Sequence, residues 1–391
     1  MIELTGKYAT AKVFTSELEP TAREQIQTMC DQPFTEGSRI RVMPDVHAGK
    51  GSTIGTTMTI TDKVVPNLVG VDIGCGMLTI PLGQIEIDLL KFDRQVKRSI
   101  PSGAGVYHKT AKYDCDFIEQ LRCFKRIKTA NLAVSVGTLG GGNHFIEFDK
   151  DDAGEIYLVI HSGSRNLGTQ VCEYYQDLAI RNNRDHTSLA LCYLSGLDKD
   201  DYLHDMQICQ QYASINRWAM ANELLTHFFH PMDVRFTDTF KLKIKEKGFK
   251  LSTEGFETLH NYIDVAHGIL RKGAISAQAG ERVLIPINMR DGAIIATGKG
   301  IADMNYSLPH GAGRLMSRKA AQSSINVEEF RATMEGIYSS VVGEGTLDEA
   351  PQAYKSMDTI LSALDGIVDD LQIIRPIYNF KAVESKGRRW R

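Results

Sequence analysis

The chain reads as a mixed α/β protein folded as one large unit, and three observations predict this. Short apolar segments closed by Gly, Pro or Asp turns alternate with helical stretches. Of the 391 residues, 42% are hydrophobic and 24% charged, the balance of a globular chain with a sizeable core. The residues able to carry chemistry are scattered between positions 72 and 310. Most of the chain must fold together if they are to meet.

The elements follow in order. A helix is expected over 20–30, with Pro20 near its start, where a missing N–H costs little. Strands are expected over 39–43, 57–61, 76–81 and 155–160, the last delivering His161 at its C-terminal end. Residues 166–229 read as a polar, helix-rich excursion from the α/β body. Residues 256–270 read as a helix that places His260 and His267 two turns apart. Strands are expected over 282–287 and 293–297. A last helical region is expected over 330–371, where Asn326 and Glu329 resemble an N-cap pair.

The bulk properties bound the function only loosely. A net charge of −3 neither suggests nor excludes a nucleic-acid partner. No apolar stretch approaches the length of a bilayer span, and the first residues lack the basic-then-apolar layout of a signal peptide. Seven cysteines without framework spacing fit a reducing, cytoplasmic setting, and most of them are expected to be thiols with no role.

The chemistry lies in glycine-rich runs. Asp72-Ile73-Gly74-Cys75-Gly76 sets a carboxylate and a thiol three residues apart, able to face one ion if the chain turns at Gly74. His144 follows Gly140-Gly141-Gly142-Asn143, with Glu147 three residues on. His161 opens His161-Ser162-Gly163-Ser164-Arg165, in which the planar Arg165 fork suits a phosphate. His260 stands beside Asn261, and His310 lies in Pro309-His310-Gly311-Ala312-Gly313-Arg314. Asp45 and His47 add a further pair, read as support from behind, with His47 an alternative ligand. Imidazoles, a thiol and a carboxylate among glycines suit a metal-dependent enzyme acting on phosphates. The tempting run Gly292 to Gly300 is no P-loop, since its first glycine is misplaced and Gly300 stands where Ser or Thr is required. The chain also lacks the paired C-x-x-C elements of a zinc ribbon.

Taken together, these runs resemble the RtcB family of GTP-dependent RNA ligases. The matching pieces are Met43-Pro44-Asp45-Val46-His47, Val69 through Met77, Leu139 through Glu147, His161 through Arg165, His260-Asn261-Tyr262, Arg271-Lys272-Gly273-Ala274 and His310 through Arg314. They run in family order over nearly the whole chain. The resemblance implies a single RtcB-like domain over 1–391, with mixed sheets around a central metal and nucleotide cleft and 166–229 as a helical insertion. It implies that His310 is the guanylylated nucleophile. It implies that Asp72, Cys75, His144, His161 and His260 hold two manganese ions, Cys75 bridging them. Asn143, Glu147, Asn261, Ala312, Gly313, Tyr354 and Lys381 then surround the guanylate, and Arg165 and Arg314 contact phosphate or RNA.

The resemblance further implies joining of RNA 3′-phosphate or 2′,3′-cyclic phosphate ends to 5′-hydroxyl ends, with GTP, in RNA repair or tRNA splicing. An archease-like activator is a candidate partner, and no membrane is involved. The chain departs from the family at Pro286-Ile287-Asn288-Met289-Arg290, where Asn288 replaces a serine near the guanylate and Arg290 adds charge. Leu308-Pro309 precede the nucleophile in place of a small or polar pair, and a basic tail occupies 386–391. These departures suggest a divergent paralogue used in RNA repair. Two other readings stay open at this point: a metal-dependent phosphodiesterase, and a non-catalytic RNA-binding relative.

Overall fold

The apolar alternation closes into two large sheets in a computed structural model, which describes residues 1–49, 51–108, 113, 115–183, 188–228, 234–235, 250–251 and 255–382. His186, His230 and the basic tail over 386–391 lie outside the described residues. The first sheet has six strands, ordered Ile2–Thr5, Thr10–Val13, Ile40–His47, Ile54–Thr59, Ile269–Lys272 and Asn261–Asp264. The second has seven, ordered Phe256–Leu259, Gly76–Gly83, Ile156–Ser162, Phe145–Lys150, Val368–Lys381, Gly292–Gly298 and Arg282–Asn288. Every pair is antiparallel except Thr10–Val13 with Ile40–His47. The expected α/β class holds.

Each sheet buries one face on its own apolar cluster. Ile26, Phe34, Val42, Val171, Tyr175 and Met206 belong to the larger, which packs helices Pro20–Cys30, Arg165–Asn182 and Gly196–Phe228 with the six-stranded sheet. Phe92, Phe148, Leu224 and Tyr378 belong to the cluster on the seven-stranded sheet, where Phe92 meets Phe148 and Tyr378 with ring centroids 4.3 and 5.1 Å apart. Burial of such side chains contributes roughly 1.5–3 kcal/mol each.

Three expectations are corrected. The helix read over 256–270 is absent. Phe256–Leu259 ends the seven-stranded sheet, Asn261–Asp264 begins the edge of the other, and His260 is the single residue between them. Asp264 and Gly268, at φ 64°, bound the turn of a hairpin whose strands carry Tyr262, Ile263 and Ile269, so the aromatic and β-branched content wins over the helical spacing. His267 sits on that turn, exposed and bonded to Asp264 at 2.8 Å.

The stretch over 330–371 is helical only in pieces. Val327–Thr333 is capped as expected by the Asn326 side chain, which accepts from the Glu328 and Glu329 amides at 2.8 and 3.2 Å. Met357–Leu364 is a second helix, and from Val368 the chain becomes the 14-residue strand Val368–Lys381 inside the seven-stranded sheet. Pro376 is tolerated there because the register shifts between Pro376 and Tyr378. Finally, the 33-residue helix Gly196–Phe228 is not a polar excursion. Tyr202, Met206, Cys209, Tyr212, Asn216, Arg217 and Met220 are all buried along it.

Candidate active site

Four neighbouring strands bring their ligands to one end of the seven-stranded sheet. Asp72 and Cys75 occupy the turn that leads into Gly76–Gly83, closed by a bond from the Cys75 amide to the Asp72 carbonyl at 3.2 Å. His161 stands opposite both Met77 and Phe145 in register, and His144 immediately precedes Phe145. His260 follows Leu259, the register partner of Gly76, and its amide donates to the Cys75 carbonyl at 3.0 Å.

The side chains meet closely. His144 Nε2 lies 3.0 Å from Asp72 Oδ2 and 3.5 Å from Cys75 Sγ. His161 Nε2 lies 3.3 Å from the same sulfur and 3.1 Å from His260 Nε2. Asp72–Cys75–His144 and Cys75–His161–His260 thus form two groups, each with its ligand atoms within 4.8 Å of one another, and Cys75 is common to both.

Backbone carbonyls decide what these rings present. His144 Nδ1 is 2.8 Å from the Leu139 carbonyl and His161 Nδ1 is 3.2 Å from that of Asn143. A carbonyl only accepts, so His161 Nδ1 carries the proton and its Nε2 lone pair points inward, whereas the His144 ring lies between the Leu139 carbonyl and the Asp72 carboxylate. Burial first, then neighbouring histidines, pushes the pKa of His161 well down; burial and the nearby His310 bring His260 down to about 3. Burial also works against the Asp72 carboxylate, yet the hydrogen bond and charge of His144 hold its pKa below the ordinary value. The Cys75 thiol is pushed up, chiefly by burial and then by Asp72. A carboxylate, a sulfur and three imidazoles facing one another are the donor types that bind metal ions. The donor set therefore fits a metal centre whose two groups share Cys75.

His310 stands beside this cluster, its ring centroid 5.1 Å from that of His260. It follows the short strand Ser307–Pro309, paired with Ala274–Ser276. Asp45, fully buried, accepts from the His310 amide at 3.1 Å and from its Nδ1 at 2.6 Å. That contact makes Nδ1 the donor to Asp45 and leaves Nε2 on the opposite side of the ring. Gly313, at φ 75°, packs its Cα against the Asp45 backbone carbonyl, where a Cβ would collide. His47 accepts a place in the wall, with Nδ1 3.0 Å from the Asp45 carbonyl.

A cavity of about 290 Å³ joins His310 to the cluster. Asn143, Asn261, Asn288, Ala312, Gly313, Arg314, Tyr354 and Lys381 line it. Glu147 stands one step behind Phe145 on the same strand face, opposite Asn379; burial raises its pKa to about 8, with Asp149 beside it also raised. The Asn288 side chain is tied into its own turn, accepting from the Arg290 and Asp291 amides at 3.0 and 2.9 Å, and Arg290 is neutralised by Asp291 at 2.6 Å. Arg314 turns its guanidinium inward, onto the Met316 and Asp348 carbonyls and the Tyr354 hydroxyl.

Arg165 lies on the far side of the candidate metal ligands. At φ 54° it opens helix Arg165–Asn182, its guanidinium pressed on the Cα of Gly140, where any Cβ would overlap it. Its Nη1 is 3.2 Å from His144 Nδ1. It helps to line a second cavity of about 370 Å³ with Asp72, Asn143, His144 and Asn166. The two cavities therefore meet at the acceptor cluster.

Sequence reasoning missed several residues that shape the site. Buried Glu349 accepts from Tyr354 Oη at 2.7 Å and Lys381 Nζ at 3.0 Å, and Arg318 approaches to 3.1 Å. Burial opposes its charge, but Lys381 and Arg318 bring its pKa down to about 2. Asn216, Arg217 and Glu257 lie behind the ligands. No spacing rule marks any of these four, because each acts through partners distant in sequence.

Comparisons with known proteins point to one family. A profile of the family described as "tRNA-splicing ligase RtcB" matches residues 25–128 and 118–382. "RNA-splicing ligase RtcB1" of Escherichia coli is 31% identical, covering 96% of this chain and 98% of that protein. "RNA-splicing ligase RtcB" of Escherichia coli strain K12 is 30% identical over the same shares. "tRNA-splicing ligase RtcB" of Archaeoglobus fulgidus is 27% identical, covering 92% of this chain and 91% of that protein. The chain belongs to the RtcB family of ligases.

Proposed function

We propose that this protein joins RNA ends bearing a 3′-phosphate or 2′,3′-cyclic phosphate to ends bearing a 5′-hydroxyl, through a guanylate carried on His310 and with GTP as the nucleotide. The observation that carries the proposal is the meeting of His310, oriented by buried Asp45, with an acceptor cluster built from Asp72, Cys75, His144, His161 and His260. Asp72, Cys75 and His144 would hold one manganese ion, and Cys75, His161 and His260 the other. Such ions supply positive charge to phosphoryl oxygens in a partly dry cleft.

The residues of the chain perform the rest. His310 Nε2 attacks the α-phosphorus of GTP, a P–N bond forms and the bond to pyrophosphate breaks. Asp45 stabilises the charge that the ring acquires, because its carboxylate already holds Nδ1–H. A 3′-phosphate oxygen then attacks the same phosphorus, breaking the P–N bond and restoring the neutral imidazole. The RNA 5′-hydroxyl finally attacks the activated 3′-phosphate, joins the strands and releases GMP. A cyclic phosphate is first opened by water. Asn143, Asn261, Tyr354 and Lys381 bind the nucleotide on the His310 side, and Arg165 meets RNA phosphate in the second cavity. The setting is cytoplasmic, in RNA repair or tRNA splicing, with an archease-like activator as a further partner.

The test is strand joining. RNA with a 3′-phosphate or cyclic phosphate is offered with RNA carrying a 5′-hydroxyl, GTP and manganese, and products are resolved by size. A joined product that requires GTP is expected. Cleavage or phosphate release without joining would instead make the protein a phosphodiesterase.

A further inference from the structure

The long helix Gly196–Phe228 runs behind the acceptor cluster, and two consecutive residues on it touch the segments that carry the ligands. Arg217 is 0% exposed. Its Nη1 donates to the Gly74 carbonyl at 2.9 Å and the Ser162 carbonyl at 2.7 Å, one residue from Cys75 and one from His161. Its Nε donates to Glu257 Oε1 at 2.8 Å, on the strand that ends before His260. Ser214 Oγ holds the other Glu257 oxygen at 2.6 Å. One guanidinium therefore ties together the three backbone segments that meet at the shared sulfur.

Asn216 completes the arrangement. Its Oδ1 accepts from the Gly137 and Thr138 amides at 2.8 and 3.1 Å, and its Nδ2 donates to the Thr138 carbonyl at 3.1 Å and Ser162 Oγ at 3.0 Å. The next carbonyl along, that of Leu139, orients the His144 ring. A buried, charged guanidinium is an expensive way to hold a fold together, since apolar residues of similar volume do so without a desolvation cost. Its planar fork is suited to fixing several acceptors at set distances.

We infer that Arg217, with Asn216 and Glu257, is a positioning residue for the metal centre: it sets the spacing of Cys75, His161 and His260, and hence metal affinity and geometry. This rests on the two-metal reading of the site. It also has an unusual sign. Arg217 is a cation close enough for its charge to be felt at Cys75 and His260. By charge alone, removing it should tighten the binding of another cation. If position dominates, removing it should weaken binding.

The experiment titrates the full chain, stripped of metal, with cobalt(II) and separately with manganese(II). The cobalt–thiolate absorption band reports the geometry at Cys75. Arg217→Lys keeps the buried charge but offers one ammonium where a fork is needed. It is expected to weaken metal binding by about tenfold or more, the range typical of groups that orient metal ligands, and to shift the cobalt band. Arg217→Met is expected to weaken it too, against the electrostatic sign.

Asp205→Asn is the control for general destabilisation. Asp205 is on the same helix and fully buried, but it accepts from the Arg122 and Cys123 amides and Tyr175 Oη, none of which carries a ligand. It should lower the thermal midpoint of the metal-free protein and leave affinity and spectrum unchanged. Should Arg217→Met not fold, Arg217→Lys decides. Wild-type affinity and spectrum in Arg217→Lys, or tighter binding in Arg217→Met, overturns the inference alone. A wild-type protein that binds neither metal overturns the two-metal reading, and this inference with it.

Discussion

His310→Ala is expected to reduce covalent transfer from GTP radiolabelled at its α-phosphorus to background, and joining of RNA ends with it. The loss should be complete because, among the described residues, the cavity offers no second base so placed. Lys381 Nζ is held by Glu349 at 3.0 Å, and His47 has its Nδ1 on the Asp45 carbonyl. Alanine removes the ring without adding bulk, and His310 side-chain exposure is 19%, so no large cavity is opened in the core. The thermal midpoint should therefore move little. The variant should still seal RNA whose 3′-phosphate has been chemically guanylylated beforehand, since the last step needs the metals and the 5′-hydroxyl but not the nucleophile. Acid-labile label surviving in the variant would assign the nucleophile elsewhere.

Cys75→Ala is expected to empty both metal sites at once. The sulfur is common to the Asp72–Cys75–His144 and Cys75–His161–His260 groups, so its loss leaves each with only two of its three ligands. Loss of His144 or of His260 removes a ligand from one group only, and elemental analysis of His144→Ala or His260→Ala should retain part of the metal. The thiol is buried and its pKa is pushed up, so without a cation it is held as a neutral thiol. Metal binding must expel that proton, and proton release on adding metal should disappear in Cys75→Ala. Full metal content in the variant would remove the thiol from the centre.

The class of fold and the company kept by the five candidate ligands were legible in the sequence. The strand expected over 155–160 puts His161 at its end, and Asp72 and Cys75 lie just before the strand expected over 76–81. The helix expected around His260 was the main local error. Its 3.6-residue spacing of apolar positions competes with an Asp264-to-Gly268 turn between Tyr262-Ile263 and Ile269-Leu270, and pairing with Ile54–Thr59 settles the contest in favour of strands. The 14-residue strand Val368–Lys381 was hidden by Pro376, which reads as a breaker unless the register shift is known.

Asp45 was expected to support the site, but nothing local announces that its partner is 265 residues away. Arg217, Glu257 and Glu349 were invisible for the same reason. A buried charge on a helix looks like a polar surface residue until its tertiary partners are known. The Arg290 departure, which suggested added charge near the nucleotide, is cancelled by the very next residue, Asp291.

The central claim is that one imidazole beside the acceptor cluster takes up a nucleoside monophosphate, and mass spectrometry of the wild-type protein after incubation with GTP and manganese tests it most directly. The account predicts a gain of one GMP per chain, lost in acid and located by fragmentation on the peptide that contains His310. No gain in mass, or a guanylate on a lysine such as Lys381, would contradict it.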